Sequence, residues 1–132
     1  MTGGSCPSGN AVSAGSFVEP TVIGDVPHDN PAVQEEIFGP VLETFTWTEY
    51  DEMMALVNDV EYGLSASVVT QDIDEAYQTA RDIEAGYVWI NQHHDVPSGL
   101  PFGGYKQSGI GRELAETTLE HYQQTKTINV GL

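Results

Sequence analysis

The 132-residue chain carries 20 Asp plus Glu against 4 Lys plus Arg, a formal charge of −16 at pH 7 and a sequence pI of about 4.1. Counted with glycine and without tyrosine, roughly 45% of its residues are apolar, an ordinary globular fraction, and its 9% aromatics exclude a disordered acidic tail. Only Arg81, Lys106, Arg112 and Lys126 can meet phosphates, which excludes nucleic acid and anionic lipid as partners.

Residues 1–16 hold four Gly, four Ser and one Pro around Cys6 and read as a loop or ragged start. Phe17 to Ile23 is β-branched and aromatic, but Pro20 marks it as an edge or irregular strand, and Pro27 to Pro31 makes a turn. Pro40 to Thr46 is strand-like. Thr48 and Asp51 then approximate a capping box before Met53, Met54, Leu56 and Val57, giving a helix over about 48–59.

After a turn at Tyr62-Gly63, Leu64 to Thr70 forms a strand. Asp72 caps a helix whose Ile73, Ala76, Tyr77, Ala80 and Ile83 share one face, with Gly86 placed to end it in the left-handed conformation. Tyr87 to Asn91 is a buried-looking strand and Gln92 to Gly111 an irregular Pro/Gly-rich segment. A last helix packs Leu114, Leu119 and Tyr122, and Thr125 to Val130 alternates as a final strand. The order argues for an α/β fold, mostly parallel, with too few strands and helices to cover its own sheet: part of a domain.

The longest apolar stretch, Ala85 to Ile90, is far short of the ~18–20 residues that cross a bilayer, and no leader follows Met1, so a soluble cytoplasmic protein without membrane contact is expected. The acidic excess reads as a solvated coat suited to high salt. Cys6 alone forms neither an internal disulfide nor a paired-thiolate zinc site, and its neighbours offer nothing to activate a thiolate. The adjacent His93, His94 and Asp95 point apart in an extended loop, so no metal is expected. Gly109-Ile110-Gly111-Arg112-Glu113-Leu114 has leucine where a dinucleotide fingerprint needs its third glycine, and Ser98 and Ser108 are in no nucleophile-elbow pattern.

Four stretches stand out: Glu35-Glu36-Ile37-Phe38-Gly39-Pro40, Tyr62-Gly63-Leu64-Ser65-Ala66, Ala85-Gly86-Tyr87-Val88-Trp89-Ile90-Asn91, and Pro101-Phe102-Gly103-Gly104-Tyr105-Lys106-Gln107-Ser108-Gly109 running into Gly111-Arg112-Glu113-Leu114. In this order and spacing they resemble the C-terminal part of the NAD(P)-dependent aldehyde dehydrogenase superfamily, from about Phe17 to Thr127. The resemblance implies a partial catalytic domain over 17–111, a C-terminal helix over 112–123 and an oligomerisation strand over 124–132. It implies that Glu36 meets the hydroxyls of the nicotinamide ribose of NAD or NADP and that Phe38 packs by the nicotinamide. Phe102 matches an aromatic at the inner end of the aldehyde tunnel, the Gln92 to Leu100 segment with His94 and Val96 looks like the tunnel mouth, and Glu113 matches a proton-relay glutamate.

The same resemblance implies oxidation of an aldehyde through a cysteine thiolate and a glutamate-activated water. Neither group has a match in this chain, the cofactor domain has none either, and Cys6 lies in a segment outside the resemblance. The expectation is a fragment of a truncated, split or misread gene, inactive alone, whose partners are the missing N-terminal half, an aldehyde and a homo-oligomeric neighbour. An interaction module that pairs with a full-length relative is the alternative.

Overall fold

A computed structural model describes residues 2–9, 12 and 14–132, in two compact units, 1–60 and 61–132. No helix among the described residues is long and apolar enough to cross a membrane.

In the first unit, β1 (Thr21–Gly24) and β2 (Val41–Thr44) pair in parallel, Thr21 against Val41 and Gly24 against Thr44. Of the segment expected to be a loop or ragged start, the described residues after Thr2 form neither helix nor strand, while Thr2 itself meets this ladder. Thr2 bridges Val22 from the other side, each residue's N–H donating to the other's carbonyl at 3.0 Å. Gly3 permits this: its φ is +80°, and a Cβ there would sit 2.3 Å from the Pro20 carbonyl oxygen. So β1, which begins right after Pro20, has a neighbour on both sides and is not an edge.

Between the strands lies α1 (Pro31–Gln34), a short helix for which only a turn was expected. Asn30 caps it by accepting the Ala32 N–H at 2.9 Å, and Pro31 occupies its first turn, where a missing N–H costs nothing. Then α2 (Tyr50–Asn58) follows β2. The Thr48–Asp51 capping box does not form: Glu49 holds the N-cap position with no side-chain bond, and the helix start relies on Asp51 and Glu52 facing the positive end of its dipole.

The second unit repeats the pattern. β4 (Ser65–Val68) and β5 (Tyr87–Ile90) pair in parallel around α3 (Ile73–Asp82). Asp72 caps α3 as expected, accepting the N–H groups of Asp74 and Glu75 at 2.9 and 3.1 Å. The apolar stripe is only partly realised: Ala76 is 1% exposed, but Ile73 and Tyr77 stay open. The residues expected to form a turn, Tyr62 and Gly63, are instead a strand, β3 (Tyr62–Gly63), antiparallel to β6 (Tyr105–Lys106), which lies inside the segment expected to be irregular.

Gly86 does not end α3. The helix closes at Ile83 in an extended conformation, and Gly86 has no positive φ. Its role is close approach, because a Cβ there would lie 1.9 Å from the Gly103 carbonyl oxygen. Gly86→Ala is therefore expected to cost about 1–3 kcal/mol in a urea melt, since the obstacle is backbone and cannot rotate away.

The last helix is a seven-residue 3-10 segment, Glu116–Tyr122, shorter than expected over 112–123. Leu114 at φ +64° interrupts a continuous helix, and Leu114, Leu119 and Tyr122 remain exposed rather than packed. Residues 123–132 run on exposed and without a ladder partner among the described residues. A strand needs a neighbour to supply its hydrogen bonds, and alternation over Thr125–Val130 does not provide one.

Candidate functional site

The residues singled out in the sequence fall into both units. Within the first, Glu36 and Phe38 sit on the loop from α1 to β2. The Gly39 N–H donates to the Ile37 carbonyl at 2.7 Å and the Val41 N–H to the Gly39 carbonyl at 2.9 Å, so two three-residue turns follow each other, centred on Phe38 and Pro40. Proline's fixed φ suits the second turn. The outcome is a phenyl ring held out at 98% exposure, with the exposed Glu36 carboxylate two residues earlier.

The second unit gathers the remaining candidates. Phe102 and Glu113, eleven positions apart, are opposed in an antiparallel bridge that exchanges both backbone hydrogen bonds, at 2.9 and 2.8 Å. Arg112 closes the loop between them. Its Nη1 donates to the Gly104 and Gly111 carbonyls at 3.1 and 2.6 Å while the guanidinium lies 5.5 Å from the centre of the Tyr105 ring. A recess of about 290 Å³ opens beside this loop, lined by Phe102, Ser108, Glu113 and His121 among others.

From Phe102 a chain of rings leads along β5 to the Gln92–Leu100 segment. Tyr87 lies 5.5 Å from Phe102 and 4.8 Å from Trp89, and Trp89 lies 5.3 Å from His93 and 6.4 Å from His94. Trp89 is 2% exposed and its indole N–H donates to the Asp95 carbonyl at 2.6 Å, a bond that pins the loop onto the strand. Ser67 Oγ stands 2.9 Å from His93 Nδ1. The far end of the loop is fastened by the Gly99 N–H to the Leu114 carbonyl, at 2.7 Å, next to Glu113.

His94, in the left-handed region at φ +62°, and the half-buried Val96 flank the pinned Asp95. Phe102, Glu113, His94 and Val96 are thus parts of one loop system around β5. Sequence reasoning missed Tyr87, Trp89 and Ser67 as its supports. The signal present was the aromatic spacing Tyr87-x-Trp89, which places both rings on one face of a strand. Cys6 is exposed and free.

The pattern of the aldehyde dehydrogenase family matches residues 1–128. The match begins with the first residues, so the segment around Cys6 lies inside the likeness, not outside it as expected. A yeast protein, aldehyde dehydrogenase [NAD(P)+] 1 of Saccharomyces cerevisiae, is 47% identical over 118 residues, which are 89% of this chain and 23% of that protein. Among solved structures, betaine aldehyde dehydrogenase from Staphylococcus aureus in complex with NAD+ is 43% identical with a TM-score of 0.87, over 92% of this chain and 24% of its own. An NAD+ complex of aldehyde dehydrogenase from Bacillus cereus is 43% identical with a TM-score of 0.86, over 93% and 24%. The chain spans about a quarter of the length of these relatives.

Proposed function

The chain belongs to the aldehyde dehydrogenase family, and from that premise we propose that it supplies the C-terminal quarter of an NAD(P)-dependent enzyme that oxidises an aldehyde to a carboxylic acid in a salt-rich cytoplasm. The observation that carries the reading is the displayed Glu36–Phe38 turn inside the matched stretch.

Those two residues fit the nicotinamide-ribose end of the cofactor. The Glu36 carboxylate offers two acceptor oxygens to two ribose hydroxyls, and the Phe38 ring offers a flat apolar face to the nicotinamide. NAD(P)+, when bound, accepts the hydride. Phe102, with His94 and Val96 on the neighbouring loop, bounds the path of the aldehyde, and Glu113, held beside Phe102 by their shared bridge, passes a proton at its carboxylate.

Turnover needs a nucleophile and a base from the rest of the enzyme. Joined to the other three quarters of the yeast relative, the chain is expected to restore reduction of NAD+ by an aldehyde, and alone to give none. In the joined protein, Glu36→Gln should raise the KM for NAD+ by about tenfold or more, the worth of a charged hydrogen bond. Turnover by the isolated chain, or a KM unmoved by Glu36→Gln, would overturn the reading.

A second reading, pairing with an intact relative or another copy, rests on residues 123–132, exposed and without a ladder partner among the described residues. Strand addition by this segment predicts co-purification with a full-length dehydrogenase that is lost on deleting 124–132.

A further inference from the structure

The turn that displays Glu36 and Phe38 springs from α1, which at four residues is too short to hold itself. On one side Val33 of α1 lines an apolar recess of about 360 Å³ together with Phe45, Trp47 and Leu56. On the other, Gln34 is the residue through which α1 is tied to the C-terminal end of α2. Three acceptors converge on its Nε2: the His28 carbonyl at 2.9 Å, the Asp59 carbonyl at 3.0 Å and His28 Nδ1 at 3.1 Å.

His28 is locked in turn. Its Nε2 lies 2.9 Å from the Leu56 carbonyl, which can only accept, so Nε2 carries a hydrogen. The Asp59 carboxylate stands 3.6 Å from the ring's Nδ1, and Asp29 lines a second recess together with His28, Gln34 and Asp59.

We propose that His28 and Gln34 are positioning residues that fix the root of the Glu36–Phe38 turn against α2, and so set where the carboxylate and the ring meet the nicotinamide ribose. The inference deepens the cofactor reading above and rests on it. Gln34 is two residues from Glu36 and four from Phe38, and the intervening Glu35 N–H donates to Pro31 inside α1, so slack at Gln34 is passed directly to the turn.

The donor character of residue 34 is what the geometry demands. Gln34→Glu keeps the shape but brings oxygens to three acceptors, Gln34→Met removes the polar end, and Gln34→Lys offers three hydrogens to the three acceptors. Measured by hydrogen exchange on the whole chain, Gln34→Glu and Gln34→Met are expected to speed exchange of the Glu35 and Gly39 amides by about tenfold, with the Ala76 and Ile83 amides of α3 unchanged as the internal reference. Gln34→Lys should return them to the native rate. His28→Gln takes away the ring nitrogen but leaves both backbone carbonyls for Gln34, and should speed the same amides by less than Gln34→Glu does.

In the protein joined to the remainder of the yeast relative, Gln34→Met is expected to raise the KM for NAD+ by about fivefold at constant kcat. Exchange that stays native, or that rises equally everywhere, overturns the proposal. If exchange rises at the turn while KM moves for Glu36→Gln but not for Gln34→Met, positioning is refuted and the cofactor reading stands. If neither variant moves KM, the cofactor reading fails and takes the positioning role with it.

Discussion

Trp89→Ala is expected to unfold residues 61–132 under conditions where the native chain is folded. The indole is the largest buried side chain named in this unit, 2% exposed, and it joins the β5 strand to the loop through its bond to the Asp95 carbonyl and its contacts with Tyr87 and His93. Removing a buried Trp costs about 3–5 kcal/mol, a large part of the ~5–15 kcal/mol that holds a whole domain. Trp89→Phe keeps a ring and loses the N–H, and should cost nearer 1–2 kcal/mol. Urea melts followed by far-ultraviolet circular dichroism separate the two, and an alanine variant within about 1 kcal/mol of native would show that the ring chain is not the core of this unit.

The second large effect is a dependence on salt. With 20 acidic and 4 basic residues, at most four carboxylates can pair one to one with a Lys or Arg, and acidic residues adjoin in sequence: Glu35 precedes Glu36, and α2 and α3 each begin with an acidic pair, Asp51 with Glu52 and Asp74 with Glu75. Two of the basic groups are engaged locally, Lys106 Nζ 2.7 Å from Glu84 and Arg112 on backbone carbonyls, so they do little for the field as a whole. Screening shrinks from about 10 Å at 0.1 M to about 3 Å at 1 M ionic strength. Raising KCl from 0.1 to 2 M is therefore expected to raise the melting temperature by on the order of 10 °C, most of it below 1 M. A melt flat in salt would show that the acidic coat does not destabilise the fold.

What could be read from the sequence was what acts over a few residues. The Asp72 cap needs only the N–H groups two and three positions on, and it forms. The β4–β5 ladder follows from two strand-like runs on either side of a helix-forming stretch. The failures share a cause in the partner's position. The Thr48 and Asp51 signal lost to a chain path that starts α2 at Tyr50, and Gly86 looked like a helix stop while its real neighbour is the Gly103 carbonyl, seventeen residues away.

The candidate site divides in the same way. The exposure of Glu36 and Phe38 follows from Gly39 and Pro40 beside them. The opposition of Phe102 and Glu113 depends on a loop closed by Arg112, and no periodicity announces it.

The two parallel ladders also bear on how fast the protein acquires its structure. Each joins strands about twenty residues apart with its own helix between them, so each is a local closure with a modest entropic cost, and neither waits for the other. On a ribosome the β1–β2 closure is available before β4 has been made. Folding should accordingly show two separable phases, with Trp47 reporting on the earlier closure and Trp89 on the later.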